Sequence, residues 1–239
     1  MEKTHHPAPL RQQLSPRIQT ILDGHLKNIL PQYFGFHLLQ IGYPRYTTWL
    51  NHSPIHHQII LTDIYHPPSP GKNFIEGNPT QLPFQNDSID VIILPCVLEQ
   101  IEYPDSLLAE AWRVLIPNGK LIIFDFNPLS VWRLLHPRSK LSAYKIKKWL
   151  WSLGCIIDQI DYFSYCPNNL NKYLLQKRTL WEHMAKFFLT PLSELYQITA
   201  TKQIVRLTPI KPTWQAVLDD KPLVGSSIRN CHCKSHEKS

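Results

Sequence analysis

Two patterns of apolar and polar positions alternate along the chain. Apolar residues three and four positions apart fill residues 15–31, between the start signal Ser15-Pro16 and the stop signal Pro31, and predict a first helix. Short unbroken apolar runs, typical of strands covered on both faces, separate this helix from later ones. The predicted strands lie at 36–42, 57–64, 91–98 and 120–126. Two further helices are predicted, at 105–120 and at 142–153. The first of these is capped by Asp105 and ended by Pro117-Asn118-Gly119.

The last third of the chain is predicted to complete the sheet. Residues 156–165 and 194–207 are predicted strands, and the segment between them, at about 168–190, is a predicted helical insertion. Apolar strands alternating with helices predict an α/β fold with a mostly parallel sheet, to which the last two strands add an antiparallel edge. We expect a domain over 15–208, preceded by an N-terminal extension at 1–14 and followed by an irregular, flexible tail at 209–239.

Composition limits the classes of protein to which the chain can belong. With 239 residues, 43% of them hydrophobic, it can bury a core, and no apolar run approaches the ~18 residues that span a bilayer. The N-terminal residues lack the apolar core of a signal peptide, and the five scattered cysteines do not form a disulfide framework, so we expect a reduced, cytoplasmic protein. The stretches “NHSPIHH” and “CHCKSH” lack a second half at zinc-site spacing, so no metal is expected.

The net charge of +7 is unevenly distributed. Residues 76–110 contain seven acidic residues and no lysine or arginine, whereas residues 126–157 contain six basic residues before the first acid, Asp158. Such segregation creates a field that attracts anions, or it marks two differently solvated surfaces, and the sequence supports both interpretations.

Residues 82–128 carry a series of spaced motifs in a fixed order: “LPF”, an acid before a strand, “LE” after it, a helix ending E-x-x-R-V-L, and “PNG” before an apolar strand. This segment resembles the middle of class I S-adenosylmethionine-dependent methyltransferases of the type 11 group. “WLWSLG” extends the resemblance, which covers about residues 15–208, and “FNPLSVW” after the fifth strand is similar to a bacterial branch. The resemblance implies a Rossmann-like methyltransferase fold with a mostly parallel seven-stranded sheet and an antiparallel edge strand.

The resemblance also implies the cofactor, S-adenosylmethionine, lying across the carboxyl ends of strands 1, 2 and 4. It implies that Asp63 accepts hydrogen bonds from the ribose hydroxyls, with an ordinary turn-capping role as the alternative. It implies that Asn78 accepts from the adenine amino group, more weakly than the family's charged Asp. Pro95 and Cys96, where the fourth strand ends, are the other implied cofactor-binding residues.

The first loop departs from the family's pattern of acid-x-Gly-x-Gly-x-Gly. Gln40 stands at the acid, Gly42 at the first glycine, and Pro44 and Tyr46 at the next two. A proline fixes φ and removes an N–H, and a tyrosine fills space, so two interpretations are open. Either Gln40 and Gly42 hold the cofactor along a different loop path, or the pocket is partly closed and the cofactor no longer binds. The other implied residues favour the first.

Methyl transfer needs alignment more than a dedicated base, so no catalytic residue is assigned. Glu99 is a candidate for orienting the substrate, with capping of the next segment as its alternative role. Asn127, Trp132 and Arg133, in the loop after the fifth strand, are predicted to bind substrate. The helix at 142–153 is expected to pack its tryptophans on the sheet and to keep its lysines in water.

The sequence therefore predicts an S-adenosylmethionine-dependent methyltransferase acting on a small-molecule or anionic acceptor. One alternative is a catalytically inactive protein of the same fold that serves as a binding or assembly partner. Another is an RNA-binding methyltransferase-like protein, although nucleic acid is not the favoured partner. No transmembrane segment is expected.

Overall fold

The computed structural model describes residues 13–63, 72–128, 130, 141–163 and 193–203. The predicted insertion and tail, and residues 1–12 of the predicted extension, lie outside this part of the chain. No helix within it has the length and apolarity needed to cross a membrane. The described elements are helices α1 (Pro16–Ile29), α2 (Pro104–Val114) and α3 (Ala143–Ser152), and strands β1 (His37–Ile41), β2 (His57–Thr62), β3 (Asn73–Glu76), β4 (Ile89–Pro95), β5 (Leu115–Phe126), β6 (Cys155–Phe163) and β7 (Leu195–Lys202).

The seven strands form one sheet in the order β3-β2-β1-β4-β5-β7-β6. The first five strands pair in parallel, while β7 runs antiparallel to both β5 and β6. This is the predicted Rossmann-like methyltransferase fold, with its antiparallel pairing at one edge. Because the chain leaves β1 towards β2 on one side and reaches β4 on the other, a crevice opens at the carboxyl ends of β1 and β4.

Helices cover both faces of the sheet. The ring of His25 on α1 stacks on Phe163, 3.9 Å between centroids, and Phe163 lies opposite Leu195 on β7. Lys202, seven residues after Leu195 on the same strand, points to the other face and contacts α2. The two tryptophans of α3 differ in exposure: Trp149 is half-buried, whereas Trp151 is 56% exposed. The expectation that both pack on the sheet is therefore wrong for Trp151.

Two element boundaries differ from the prediction. Strand β3 was not predicted because it is short, edge-located and mostly half-exposed, so it lacks an apolar run. Helix α2 ends at Val114, before the predicted turn, and Leu115 already pairs with Ile89 on β4. Asn118 takes a left-handed φ of 65°, so the Pro-Asn-Gly sequence bends the start of β5 and does not end a helix.

The spacing of “LPF” and E-x-x-R has a physical cause in this chain. Arg113 on α2 donates to the carbonyl oxygens of Leu82 (3.0 Å) and Phe84 (2.9 Å) and to the Glu110 carboxylate (2.8 Å). Glu110 in turn accepts from the backbone N–H of Leu82 at 2.9 Å. This ion pair therefore fixes the loop before β4 to α2, and the motif residues support the fold without touching the crevice.

The ammonium of Lys202 is buried, with only 3% of the residue exposed, yet every donor has a partner. It donates to Asp87 Oδ1 (2.6 Å) and to the carbonyl oxygens of Trp112 (2.8 Å) and Leu115 (2.7 Å), and it lies over the Trp112 ring. Because these carbonyls lie at the carboxyl end of α2, the cation also interacts favourably with the helix dipole.

Replacing this cation tests its contribution to stability. We expect Lys202→Met to lower the free energy of unfolding by about 2–4 kcal/mol, because buried carbonyl groups lose their donor. Urea unfolding measures the change. The exposed Lys148→Met serves as control and is expected to change stability by no more than about 0.5 kcal/mol. Equal stability of the two variants would contradict this role for Lys202.

The Glu110–Arg113 pair predicts a pH dependence of stability. Hydrogen bonds from Arg113, above all, lower the pKa of Glu110 below its ordinary value of 4.5. The pair therefore stabilises the fold above that value, and this stability is lost as pH falls through the folded-state pKa. Between about pH 6 and about pH 3, Glu110→Gln should lose less stability than the wild type. Glu102→Gln, at an exposed site, should follow the wild-type curve, and a wild-type curve for Glu110→Gln would refute the assignment.

Candidate active site

The parallel strands bring most of the predicted site residues to one edge of the sheet. Gly42 follows β1, Asp63 follows β2, Cys96 follows β4 and Asn127 follows β5. The carboxyl ends of neighbouring parallel strands meet at the same edge, so these residues surround the crevice. Their roles in binding remain predictions. Trp132 and Arg133 lie outside the described residues.

The side chain of Gln40, on β1, fixes the loop that follows this strand by hydrogen bonds to its backbone. This side chain is fully buried, and its Nε2 donates to the carbonyl oxygens of Gly42 (3.0 Å) and Tyr43 (3.1 Å). A carboxylate at this position has no proton to donate and would face two carbonyl oxygens. The loop conformation thus gives a physical reason for an amide where the family pattern has an acid.

The loop presents carbonyl groups because its backbone turns left-handed at two successive residues. Gly42 has a φ of 80° and Tyr43 a φ of 51°, and Pro44 has no N–H. A left-handed conformation is easy for glycine but costs a residue with a Cβ roughly 1–2 kcal/mol. The three residues Gln40, Tyr43 and Pro44 are therefore consistent with one another, and together they define a loop path unlike a glycine-rich one.

Tyr43 is the large side chain that enters the crevice. Only 2% of the residue is exposed, and its hydroxyl accepts from Gln100 Nε2 at 2.7 Å and lies 3.5 Å from the carbonyl oxygen of Cys96. Gln100 also donates to the same Cys96 carbonyl at 2.8 Å. The phenol therefore bridges the loops after β1 and β4. Sequence analysis missed Tyr43, although an aromatic residue directly after Gly42 was a visible signal.

Tyr46, which the sequence pattern singled out, lies elsewhere. Its hydroxyl accepts from the backbone N–H of Leu14 at 2.9 Å and from the amide of Gln19 on α1. Its ring packs at a tilt against the ring of Trp49, with 4.8 Å between the centroids. Tyr46 therefore attaches the first loop to α1, and the residue that narrows the crevice is its neighbour Tyr43.

Cys96 contributes its backbone to the crevice. It has a left-handed φ of 52°, is 1% exposed, and donates its N–H to the carbonyl oxygen of Phe124 at 2.7 Å. Pro95, also buried, closes β4 immediately before it. The turn at Cys96 directs its carbonyl oxygen towards Tyr43 and Gln100, so the loop after β4 is fixed by the same bridge as the loop after β1.

The two residues implied for ribose and adenine differ in their surroundings. Asp63 is half-buried directly after β2, at the edge of the crevice. Asn78 is exposed, and its Oδ1 accepts from the backbone N–H (2.9 Å) and the hydroxyl (2.8 Å) of Thr80. An adenine amino group would share that oxygen with these two donors. The roles of both residues in binding the cofactor stay predictions.

A cavity of about 520 Å³ opens beside the loop after β4. Its charged lining consists of Glu99, Glu102, Asp105 and Lys145, and Trp149 supplies an aromatic wall. The cavity, with more carboxylates than cations, is suited to a basic or hydrogen-bond-donating molecule.

Asn127, which follows β5, is 5% exposed. It donates its backbone N–H to the carbonyl oxygen of Glu194 at 2.9 Å and so secures the start of β7.

Behind Glu99 lies a buried tyrosine that the sequence did not indicate. Tyr196 on β7 is fully buried opposite Asp125 on β5, and its hydroxyl has no hydrogen-bond partner among the described residues. Burial raises the pKa of Tyr196 well above its ordinary value of 10.0, and the carboxylates of Asp125 and Glu99 raise it further. The phenol therefore keeps its proton and remains a hydrogen-bond donor at physiological pH.

Two of the three histidines of “NHSPIHH” have partners outside that stretch. His52 Nε2 lies 3.0 Å from Asp23 Oδ1, and His57 Nδ1 lies 2.6 Å from His37 Nδ1 on the neighbouring strand. Within the described ranges, no three histidine, cysteine or acidic side chains come together as a metal site would require. The stretch “CHCKSH” lies outside these ranges.

Comparison with known proteins finds a family model and relatives that match part of the chain. The family model of the methyltransferase domain matches residues 41–123, from the last residue of β1 into β5. YafS of Escherichia coli K12 is 30% identical over 146 residues, which are 60% of this chain and 57% of YafS. The ubiquinone/menaquinone biosynthesis C-methyltransferase UbiE of Brucella canis is 31% identical over 105 residues, 44% of this chain and 38% of UbiE. The chain thus spans less than two thirds of the length of either relative.

Solved structures agree on the fold. A SAM-dependent methyltransferase from Archaeoglobus fulgidus superposes with a TM-score of 0.60 at 17% identity, covering 77% of this chain and 94% of that one. An S-adenosylmethionine-dependent methyltransferase from Mesorhizobium loti gives 0.55 at 15% identity, covering 75% and 99%. The resemblance to class I S-adenosylmethionine-dependent methyltransferases is therefore confirmed. The matched methyltransferase domain implies S-adenosylmethionine as the cofactor.

The amide at position 40 gives a direct test of the loop geometry. We expect Gln40→Glu to lower the free energy of unfolding at pH 7 by about 2–4 kcal/mol, because a buried carboxylate would face two carbonyl oxygens. The loss should shrink at low pH, where a protonated carboxyl group can donate. Urea unfolding measures both, and Gln81→Glu, on the surface, is the control. A Gln40→Glu variant as stable as the wild type would contradict the loop geometry.

Proposed function

We propose that this protein is an S-adenosylmethionine-dependent methyltransferase whose cofactor lies beside Gly42. The observation that carries the proposal is Gln40 Oε1, a fully buried acceptor with no hydrogen-bond partner in the described part of the chain. A buried acceptor left without a partner costs about 1–3 kcal/mol, which a donor from a ligand would offset. The α-ammonium group of S-adenosylmethionine is such a donor.

The residues around the crevice fit the rest of the cofactor. Asp63 would hold the ribose hydroxyls through its carboxylate, and the absence of a Cβ at Gly42 lets a ligand approach the backbone closely. When bound, the cofactor supplies an activated methyl group on its sulfonium. The chain's own contribution is to align the acceptor and to exclude water, so a base is optional.

We place the acceptor in the cavity lined by Glu99, Glu102 and Asp105. Its carboxylates favour a basic acceptor over the anionic one that the segregated charges first suggested. Glu99 would orient such a molecule, and the Glu99 carboxylate also helps to keep the buried Tyr196 phenol protonated by raising its pKa.

Tyr43 favours a second candidate function. Because its phenol bridges the loops on both sides of the crevice, it takes space that the family pattern leaves to glycines. A chain in which this space stays filled would be a catalytically inactive protein of the same fold, acting as a binding or assembly partner. The two candidates differ in whether S-adenosylmethionine binds.

Calorimetric titration of the full chain with S-adenosylmethionine tests the proposal. We expect binding, and we expect Asp63→Ala to raise the Kd about 10- to 100-fold, since a hydrogen bond to a charged group contributes about 1.5–3 kcal/mol. Glu76→Ala removes an exposed acid at the end of neighbouring β3 and should leave the Kd unchanged. An unchanged Kd in a folded Asp63→Ala variant would remove Asp63 from the site.

The same titration distinguishes the second candidate. No binding by the wild type at millimolar ligand, together with binding by Tyr43→Ala, would show that the phenol closes an otherwise intact site. That result would favour the inactive protein and refute the methyltransferase. Binding by the wild type with a similar Kd for Tyr43→Phe, which keeps the ring and loses the hydroxyl bridge, supports the enzyme.

A further inference from the structure

A stripe on the outer side of α3 combines aromatic and basic side chains. Tyr144, Lys147, Lys148 and Trp151 are spaced by three and four residues and so share one side of the helix; we call these four residues the α3 stripe. Tyr144 is 74% exposed and Trp151 is 56% exposed. A different side of the same helix faces the core through Ala143, Ile146 and Leu150.

The charged residues of α3 itself are all positive. Helix α3 contains no acidic residue, and its three lysines form no ion pair with any residue that the structure describes. The nearby Asp158 is already paired with Lys120 at 3.1 Å. The lysines of α3 are therefore available to an anionic partner, which is the complement that their charge selects.

An apolar margin adjoins the α3 stripe. Trp151 and Lys147 share a surface depression of about 410 Å³ with strand β6, whose Ile156 is 46% exposed. Trp151 and Ile156 thus place an aromatic and an aliphatic side chain next to the lysines. This combination is typical of helices that lie in the plane of a membrane interface, with apolar groups inserted and lysines at the headgroups.

The contacts of the tryptophan favour a lipid surface over a nucleic acid. The Lys147 ammonium lies 4.5 Å from the centroid of the Trp151 ring and covers one of its faces. A nucleobase could stack only on the other face of the ring, whereas insertion among lipid headgroups needs no open face. We propose that the α3 stripe docks this protein on an anionic phospholipid surface. The proposal is independent of whether the crevice binds S-adenosylmethionine.

Flotation of the full chain with vesicles tests the proposal. We expect binding to phosphatidylcholine vesicles that contain phosphatidylglycerol and none to pure phosphatidylcholine. The double variant Lys147→Gln/Lys148→Gln should bind roughly 30-fold more weakly, because each basic residue near such a surface strengthens binding by about five- to sixfold. The control Lys27→Gln/Arg45→Gln removes two exposed positive charges elsewhere and should keep most of the affinity.

A second pair of variants tests the aromatic part. Tyr144→Ser/Trp151→Ser should weaken vesicle binding, whereas Phe34→Ser/Phe36→Ser, at two aromatic residues that are 78% and 79% exposed, should not. Circular dichroism verifies the fold of each variant. The proposal is overturned if the wild type ignores anionic vesicles, if the stripe variants bind them as the wild type does, or if a single-stranded RNA binds through the stripe while vesicles do not.

Discussion

Two hydrogen bonds from one buried amide determine what the crevice of this protein can be. Gln40 Nε2 donates to the carbonyl oxygens of Gly42 and Tyr43, and so selects a loop whose carbonyls turn inwards. That loop in turn directs Tyr43 across to the loop after β4, where its hydroxyl accepts a hydrogen bond from Gln100 and lies near the carbonyl oxygen of Cys96. The departure from a glycine-rich pattern is therefore one coordinated arrangement.

The same arrangement leaves one polar atom without a partner. Gln40 has two hydrogen-bonding ends, and the loop uses only the donor end. Its oxygen is buried beside Gly42, at the point where parallel α/β sheets bind their ligands. An apolar residue at this position would remove the unpaired oxygen, but it would also take the donor away from the carbonyl oxygens of Gly42 and Tyr43. The loop therefore needs the amide, and a ligand that donates to Gln40 Oε1 would satisfy the end of the amide that the loop leaves unused.

The sequence predicted the sheet well because its evidence is local and repeated. Apolar runs at β1, β2 and β4 and the spaced motifs around α2 each report on backbone periodicity, and the structure confirms the fold that they imply. The prediction from sequence failed for β3, whose four residues, with a polar residue at each end, are too few to give a periodic signal. It also failed for the start of β5, where Asn118 takes a left-handed conformation inside a strand.

The position of the site could be predicted from the sequence, but the side chains that extend into it could not. Parallel topology alone places Gly42, Asp63 and Cys96 at one edge, so their proximity followed from strand order. The path of the Tyr43 side chain, and the approach of Tyr196 to Glu99 across three strands, depend on side-chain packing between residues distant in sequence. A pattern of residue types carries no information about such contacts until the fold has been built.

A crystal structure of the protein soaked with S-adenosylhomocysteine tests the central claim most directly. Our account predicts density for the nucleoside beside Gly42, with the ribose hydroxyls on Asp63 and the ammonium group within hydrogen-bond distance of Gln40 Oε1. A crevice that contains only the Tyr43 phenol, still hydrogen-bonded to Gln100 at millimolar ligand, would contradict it.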